Sequence, residues 1–284
     1  MNIGVALPLP PEAPAITPDP AFYAREAERL GFESFWAPEH TIAPVRVVDS
    51  YSPNFPGGQV PGFIDPLIAL GRASAATSRI LLGTHVLILP QWHPVRLAKQ
   101  AATLDLFSGG RLLLAIGGGW LREEMEPLGG DFPHRWTQAR EAVQAMKELW
   151  VNDVAEYHGA HFSFPPVRSY PKPARKPHPP VLLGGNAARV LERVAAWGDG
   201  WAPGSRVTLE EIREGRRRLD RLARTAGRDP RSLTISAFCP DADRQAIARY
   251  EDAGVDRVIV RHRVVSSEPE ALEELQRTAE RVLR

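Results

Sequence analysis

The chain has 284 residues, 43% of them hydrophobic and 24% charged, with a net charge of +1. This is enough apolar material for one large α/β barrel or two ordinary domains, and so balanced a charge excludes a nucleic-acid binder that relies on a global basic field. Cys239 is the only cysteine, so no intrachain disulfide can form, which suits a reducing cytoplasm. No uninterrupted apolar run approaches a membrane span. The opening MNIGVALPLPPE has neither the basic region nor the apolar length of a signal peptide. The expectation is a soluble, cytoplasmic, single-domain protein over residues 1–284.

Ile3 to Leu9 reads as a first strand. Asp19-Pro20 supplies an N-cap and a first helical residue, with Tyr23, Ala27 and Leu30 at helical spacing until Gly31. Ser34 to Ala37 is a second strand, running into Pro38-Glu39-His40. Thr41 to Gly62 is rich in Pro, Gly and Ser and has no periodicity, and so long a loop in a compact domain is usually functional or mobile. Asp65-Pro66 caps the next helix, through Ala76. The run from Arg79 to Pro90 is β-branched and leucine-rich, fit for a strand buried on both faces, yet Thr84-His85 interrupts it. Two polar side chains there need a use on the concave side of the sheet. Pro94 opens a helix that buries Leu97, Ala101 and Leu104 and stops at Gly109-Gly110. A fourth strand, Arg111 to Ile116, follows directly.

After Gly117-Gly118-Gly119-Trp120 the chain reads as irregular to His134. A helix then shows Ala139, Val143, Met146 and Trp150 on one face. Tyr157 to Pro180 is irregular again, with aromatics that suit a small hairpin and prolines that forbid a central strand. Val181 to Leu183 is a fifth strand, leading into Gly184-Gly185-Asn186, with Asn186 placed to cap a helix ending at Gly198. Gly200 to Ala202 is a weak sixth strand. Thr208 with Glu211 forms a capping box for a long helix to Gly227, whose many arginines, balanced by Glu210, Glu211, Glu214 and Asp220, read as a solvated face. Leu233 to Phe238, a helix from Asp243 to Gly254, a strand Arg257 to Val260 and a last helix capped by Ser267 complete the chain. Eight strands alternating with eight helices predict a (β/α)8 barrel with insertions after strands 2 and 4. No GxGxxG follows the first strand, which argues against a doubly wound sheet.

In such a barrel the active site lies at the C-terminal ends of the strands. Those ends hold Pro8 and Leu9, Glu39-His40, Thr84 to Val86, Gly117 to Trp120, Gly184 to Asn186, Pro203 to Ser205 and Cys239-Pro240. They offer no metal-ligand cluster, no pair of carboxylates for glycoside hydrolysis and no lysine for a Schiff base. They do offer glycines, backbone amides, hydroxyls, an imidazole and indoles. That inventory suits a flat aromatic cofactor with a phosphate tail, which then carries the hard chemistry. Gly184-Gly185-Asn186 fits both a phosphate cradle and a plain strand-to-helix turn. Gly117 to Gly119 fits both a cleft lining and a tight turn. His40 is the best proton donor on this rim, because histidines as a class titrate near neutrality. Cys239 reads as a small core residue.

The segments WAPEH, LLGTHVLILPQWHPVRLAKQAATLDLFSGGRLLLAIGGGWLREE and PPVLLGGNAARVLERVAAWGDGWAP together resemble the luciferase-like monooxygenase superfamily, and most of all its branch dependent on the deazaflavin coenzyme F420. The resemblance implies a TIM barrel with a cofactor at its C-terminal mouth, and often a homodimer. It also implies a bulge in the third strand with a non-proline cis peptide, which by position is His85-Val86, and a His85 side chain turned toward the mouth. On that basis Thr84, His85 and Val86 support the cofactor ring, Gly184, Gly185 and Asn186 hold its phosphate, and Gly117, Gly118 and Gly119 line the cleft. His40 is the proton donor, and Trp36 and Trp120 are apolar walls for a small organic substrate. The alternatives are an FMN-dependent monooxygenase and a non-catalytic ligand-binding barrel. Some sugar-phosphate dehydrogenases similar to this chain at His40 carry a glutamate where Trp120 stands here, so their substrate class does not carry over. Glu123 and Glu124 read as charges at a helix N-terminus.

Overall fold

The computed structural model describes residues 1–9, 18–45, 61–240, 243–261, 265 and 267–283. Its first half contains β1 (Asn2–Ala6), α1 (Pro20–Leu30), β2 (Ser34–Ala37), α2 (Pro66–Ala76), β3 (Leu81–Thr84), β4 (Leu87–Ile88), α3 (Pro94–Ser108) and β5 (Leu112–Gly117). Next come a four-residue helix α4 (Arg122–Met125), α5 (Arg135–Val151), and β6 (Ala155–His158) with β7 (Ser163–Val167). The second half runs β8 (Val181–Gly184), α6 (Val190–Trp197), β9 (Gly200–Ala202), α7 (Leu209–Thr225), β10 (Thr234–Cys239), α8 (Arg244–Asp252), β11 (Arg257–Val260) and α9 (Glu268–Val282).

Three helices start where their caps predict. Asp19 Oδ1 accepts from Ala21 N at 2.9 Å, and Asp65 Oδ1 accepts from Leu67 N and Ile68 N at 2.9 Å. Thr208 and Glu211 complete a reciprocal capping box. The arginines of α7 pair with Glu210, Glu214, Asp220 and Glu192, as a solvated mixed-sign face should.

β1 pairs in parallel with β2 and also with β11, and the order β2, β3, β5, β8, β9, β10, β11 closes the sheet into an eight-strand barrel with helices outside. The fold is therefore the predicted α/β barrel. β6 and β7 form the expected hairpin, a separate antiparallel pair in which two prolines of β7 face no central ladder. Part of the loop Thr41 to Gly62, expected after strand 2, lies outside the described residues.

One core packs the strands against the helices, with Phe35, Leu70, Leu82, Leu97, Met146 and Trp150 among its buried members. A second, smaller core fills the barrel itself, where Ala6, Ala115 and Ala202 crowd around Trp36 and Ile259. These positions are small because the indole occupies the space. A Cβ on Gly4 would sit 2.7 Å from Trp36 Nε1, and one on Gly83 would run into its six-membered ring. Trp36 Nε1 donates to Ser34 Oγ at 2.8 Å, which satisfies its polar atom.

The third strand is not continuous. Leu82 faces Leu112, but Leu87 faces Ile116, so five steps along β3 and β4 oppose four along β5. One residue is extra, which defines a β-bulge. The His85-Val86 peptide within it is cis. Thr84 repairs the interrupted ladder, its hydroxyl donating to the Ala115 carbonyl at 2.7 Å.

Candidate functional site

The bulge opens onto a cavity of about 720 Å³ at the C-terminal ends of the strands. Val86 lines its floor. A Cβ on Gly184 would lie 2.6 Å from Val86 Cγ1, and one on Gly117 would lie 2.9 Å from Cγ2. The two strand-end glycines thus seat the isopropyl group between β5 and β8. Steric room for Val86 is one requirement that keeps these two positions glycine.

The nine expected ring, phosphate and cleft residues do not all meet in the cavity. His85, Val86, Gly117, Gly118, Gly119, Gly184, Gly185 and Asn186 line it. Thr84 does not: it is fully buried and its hydroxyl is committed to Ala115. Gly185 N donates to the Ala202 carbonyl at 3.0 Å, so that amide belongs to the sheet. Asn186 does not cap the following helix, which begins only at Val190. Its Oδ1 instead accepts from Gly204 N at 2.8 Å and ties the β8 loop to the β9 loop. A side chain that bridges two neighbouring loops here outcompetes the local cap. Positive charge at this mouth comes from side chains that the sequence reading passed over, Arg135, Arg206 and Arg261.

His85 turns its ring into the mouth, edge-on to Phe238 at 4.2 Å and to Trp36 at 6.0 Å, while Arg261 lies over Phe238 at 4.4 Å. Burial, and then the nearby Arg261 charge, push the His85 imidazole down to about 3, so it is neutral at ordinary pH. Its Nε2 is buried without a partner among the described residues. Trp36 lines the cavity while its side chain is fully buried. Trp120 is partly exposed and does stand at the side, its ring 5.9 Å from that of His40. Trp136 lies against Gly118, where a Cβ would come within 2.8 Å of the indole.

His40 also lines the cavity, at the end of β2, its ring 4.9 Å from Phe63. Its Nδ1 is 2.7 Å from Glu124 Oε2, and Glu124 Oε1 accepts from Thr41 N at 2.7 Å. Glu124 is therefore not a solvent-facing charge at a helix start: its side chain is only 1% exposed. The stretch read as irregular after Trp120 contains α4, and that short helix carries the carboxylate inward.

Glu39 is a second buried carboxylate at the mouth whose partners the sequence does not reveal. It accepts from the backbone of Ile88 and from Trp92 Nε1, the latter at 3.0 Å, and so anchors the far half of the bulged strand. Burial raises this carboxyl to about 7 despite those two donors, with a smaller push from Glu124. The signal was its place at a strand end beside His40. Cys239 is buried in the core, as read. Among the described residues no group of three or more His, Cys, Asp or Glu side chains is arranged to hold a metal, and no helix is long and apolar enough to cross a membrane.

The molecule is an α/β barrel with a bulged third strand, glycine strand ends and a basic-rimmed cavity at its C-terminal mouth. The luciferase-like monooxygenase family model matches residues 17–281, and the chain belongs to that family. An uncharacterized protein of Mycobacterium tuberculosis strain H37Rv is 36% identical over 247 residues, covering 84% of this chain and 86% of the relative. Among solved structures, the monooxygenase RslO1 from Streptomyces bottropensis is similar with a TM-score of 0.79 at 22% identity, covering 100% of this chain and 99% of that one. An F420-dependent secondary alcohol dehydrogenase in complex with an F420-acetone adduct is similar with a TM-score of 0.76 at 17% identity, covering 98% and 97%. At such identities the likeness is one of fold.

Proposed function

We propose that this protein is an oxidoreductase that moves a hydride between coenzyme F420 and a small organic substrate, with His40 as the proton carrier. The observation that carries the reading is the placement of His40 and the Val86 bulge around one cavity. The residues fit a tricyclic cofactor. Val86 presents an apolar surface to the ring, the buried Nε2 of His85 offers one polar contact, and Arg135, Arg206 and Arg261 supply charge for a phosphate tail. Bound deazaflavin would supply the two-electron chemistry, accepting or returning the hydride. A substrate alcohol oxidised by that two-electron chemistry would pass its hydroxyl proton to His40. Phe63, Trp120 and Leu9 make that side of the cavity apolar, which suits an uncharged substrate. The likeness to the F420-dependent dehydrogenase favours this reading.

The likeness to an FMNH(2)-dependent dimethylsulfone monooxygenase of Pseudomonas putida, 29% identical over 180 residues, supports a second reading, an FMN-dependent monooxygenase. Side-by-side titration with F420 and FMN separates the two. F420 is expected to bind at least about tenfold more tightly, or ~1.4 kcal/mol. Equal affinity, or a preference for FMN, reverses the order of the two readings. A barrel that binds cofactor without any turnover would be a ligand-binding protein. If His40 carries the proton, His40→Ala lowers kcat by roughly two to four orders of magnitude with cofactor affinity little changed. Turnover within a few fold of the parent would make His40 structural.

A further inference from the structure

Two segments meet at the Glu124 carboxylate, and a third is tied in through Thr41. Glu124 arrives on α4, after β5, and both its oxygens reach the loop that follows β2, one to the His40 ring and one to the Thr41 amide. Thr41 in turn donates its hydroxyl to Gln91 Oε1 at 2.8 Å, in the turn after β4. The His40 ring lines the cavity, whereas Glu124 lies behind it and does not. The Nδ1 edge of the imidazole is therefore directed inward, to a buried acceptor.

We propose that Glu124 is the positioning residue of His40: it holds the proton on Nδ1, so that Nε2 is the nitrogen that exchanges a proton with substrate. The inference rests on His40 as the proton carrier. A carboxylate only accepts, so Nδ1 must donate to it, and the neutral ring is confined to the Nδ1–H tautomer. When Nε2 takes a substrate proton, the positive charge that forms is balanced 2.7 Å away by the same carboxylate. The second oxygen, engaged by the Thr41 amide, keeps the carboxylate from rotating with the ring.

Glu124→Gln tests this because it keeps shape and removes the acceptor pair. Its amide oxygen satisfies the Thr41 N–H, and its NH₂ then faces Nδ1, which must become an acceptor. The ring is expected to switch to the Nε2–H tautomer, read from imidazole 15N shifts in the cofactor-free protein, with the His40 signals assigned by their loss in His40→Ala. In the loaded enzyme kcat is expected to fall on the order of a hundredfold, with KM and cofactor affinity within about twofold of the parent. Glu124→Asp keeps the acceptor and should keep the Nδ1–H tautomer, and it serves as the comparison if the glutamine variant does not fold. An Nε2–H tautomer in the parent protein, or an unchanged tautomer in Glu124→Gln, overturns the proposal. So does an Nε2–H tautomer in Glu124→Asp. If His40→Ala turns over normally while the tautomer switch is seen, Glu124 still orients the ring and only the catalytic reading of His40 falls.

Discussion

Two side chains at the mouth titrate with opposite consequences for stability. His85 is held neutral down to about pH 3, well below the ordinary imidazole value of 6.5. Between those values the unfolded chain binds the extra proton, so stability rises with pH. Glu39 is raised from 4.5 to about 7. Between those values the folded chain binds the extra proton, so this contribution falls as pH rises. From about pH 4.5 to 6.5 the two effects oppose, each by at most ~1.4 kcal/mol per pH unit. The parent protein should therefore change little in stability across that window on their account. Glu39→Gln should gain stability with rising pH, and His85→Gln should lose it. Urea midpoints at pH 4.5, 5.5 and 6.5 check the signs, and parallel curves for the three proteins would refute the assignment.

At the scale of elements, the bulge between β3 and β4 is held from several sides. Thr84 bonds to β5, Glu39 bonds to Ile88, and Val86 rests between Gly117 and Gly184. This makes a steric prediction. A methyl group on Gly184 would meet Val86 Cγ1 at 2.6 Å and the Ile116 carbonyl at 3.1 Å. Gly184→Ala should cost roughly 1–3 kcal/mol as an overpacked contact, and should weaken cofactor binding by displacing Val86. Adding Val86→Ala should recover part of the stability, since the two residues touch and their effects are coupled. A strictly additive double-mutant cycle in denaturant would show that Val86 is not what keeps position 184 small.

Across the whole molecule, the two ends of the barrel divide the work. Opposite the mouth, the buried Arg111 guanidinium donates to the carbonyls of Ser74, Thr77, Ile80 and Ser108 and to the Thr77 hydroxyl. It thereby gathers the C-terminal ends of α2 and α3 beneath β3, where helix carbonyls lack partners of their own. Glu28 does the complementary task, accepting from the amides of Ser78, Arg79 and Ile80. Arg257 pairs with Glu33 and lies 5.7 Å from the Trp36 ring. None of these charged groups lines the cavity, and they serve stability. Arg111→Met should cost on the order of 3 kcal/mol, because several buried carbonyls lose a charged donor. Cofactor affinity of the folded variant should stay within about twofold of the parent. A loss of affinity as large as that of Gly184→Ala would show that the two ends are coupled.

The barrel itself was legible in the residues, because its evidence is local and periodic. Asp19-Pro20, Asp65-Pro66 and the Thr208–Glu211 box mark helix starts by chemistry confined to four residues, and the strands between them are apolar runs. His40 and the third-strand interruption at Thr84-His85 were legible for a related reason: polar groups at the end or middle of an apolar strand need a purpose. Their partners were not. Glu124 lies 84 residues from His40, on a helix too short to show a period, and looked like an ordinary terminal charge. Glu39 looked like a neighbour of His40 until the fold brought Ile88 and Trp92 to it. The Thr84 hydroxyl and the Asn186 Oδ1 meet Ala115 and Gly204, partners across the sheet and in the adjoining loop that the sequence does not announce. Local sequence determines where strands and helices begin and which positions face a core. Only the closed barrel decides which buried polar atoms meet, because hydrogen-bond partners distant in the chain are chosen by tertiary proximity and not by spacing.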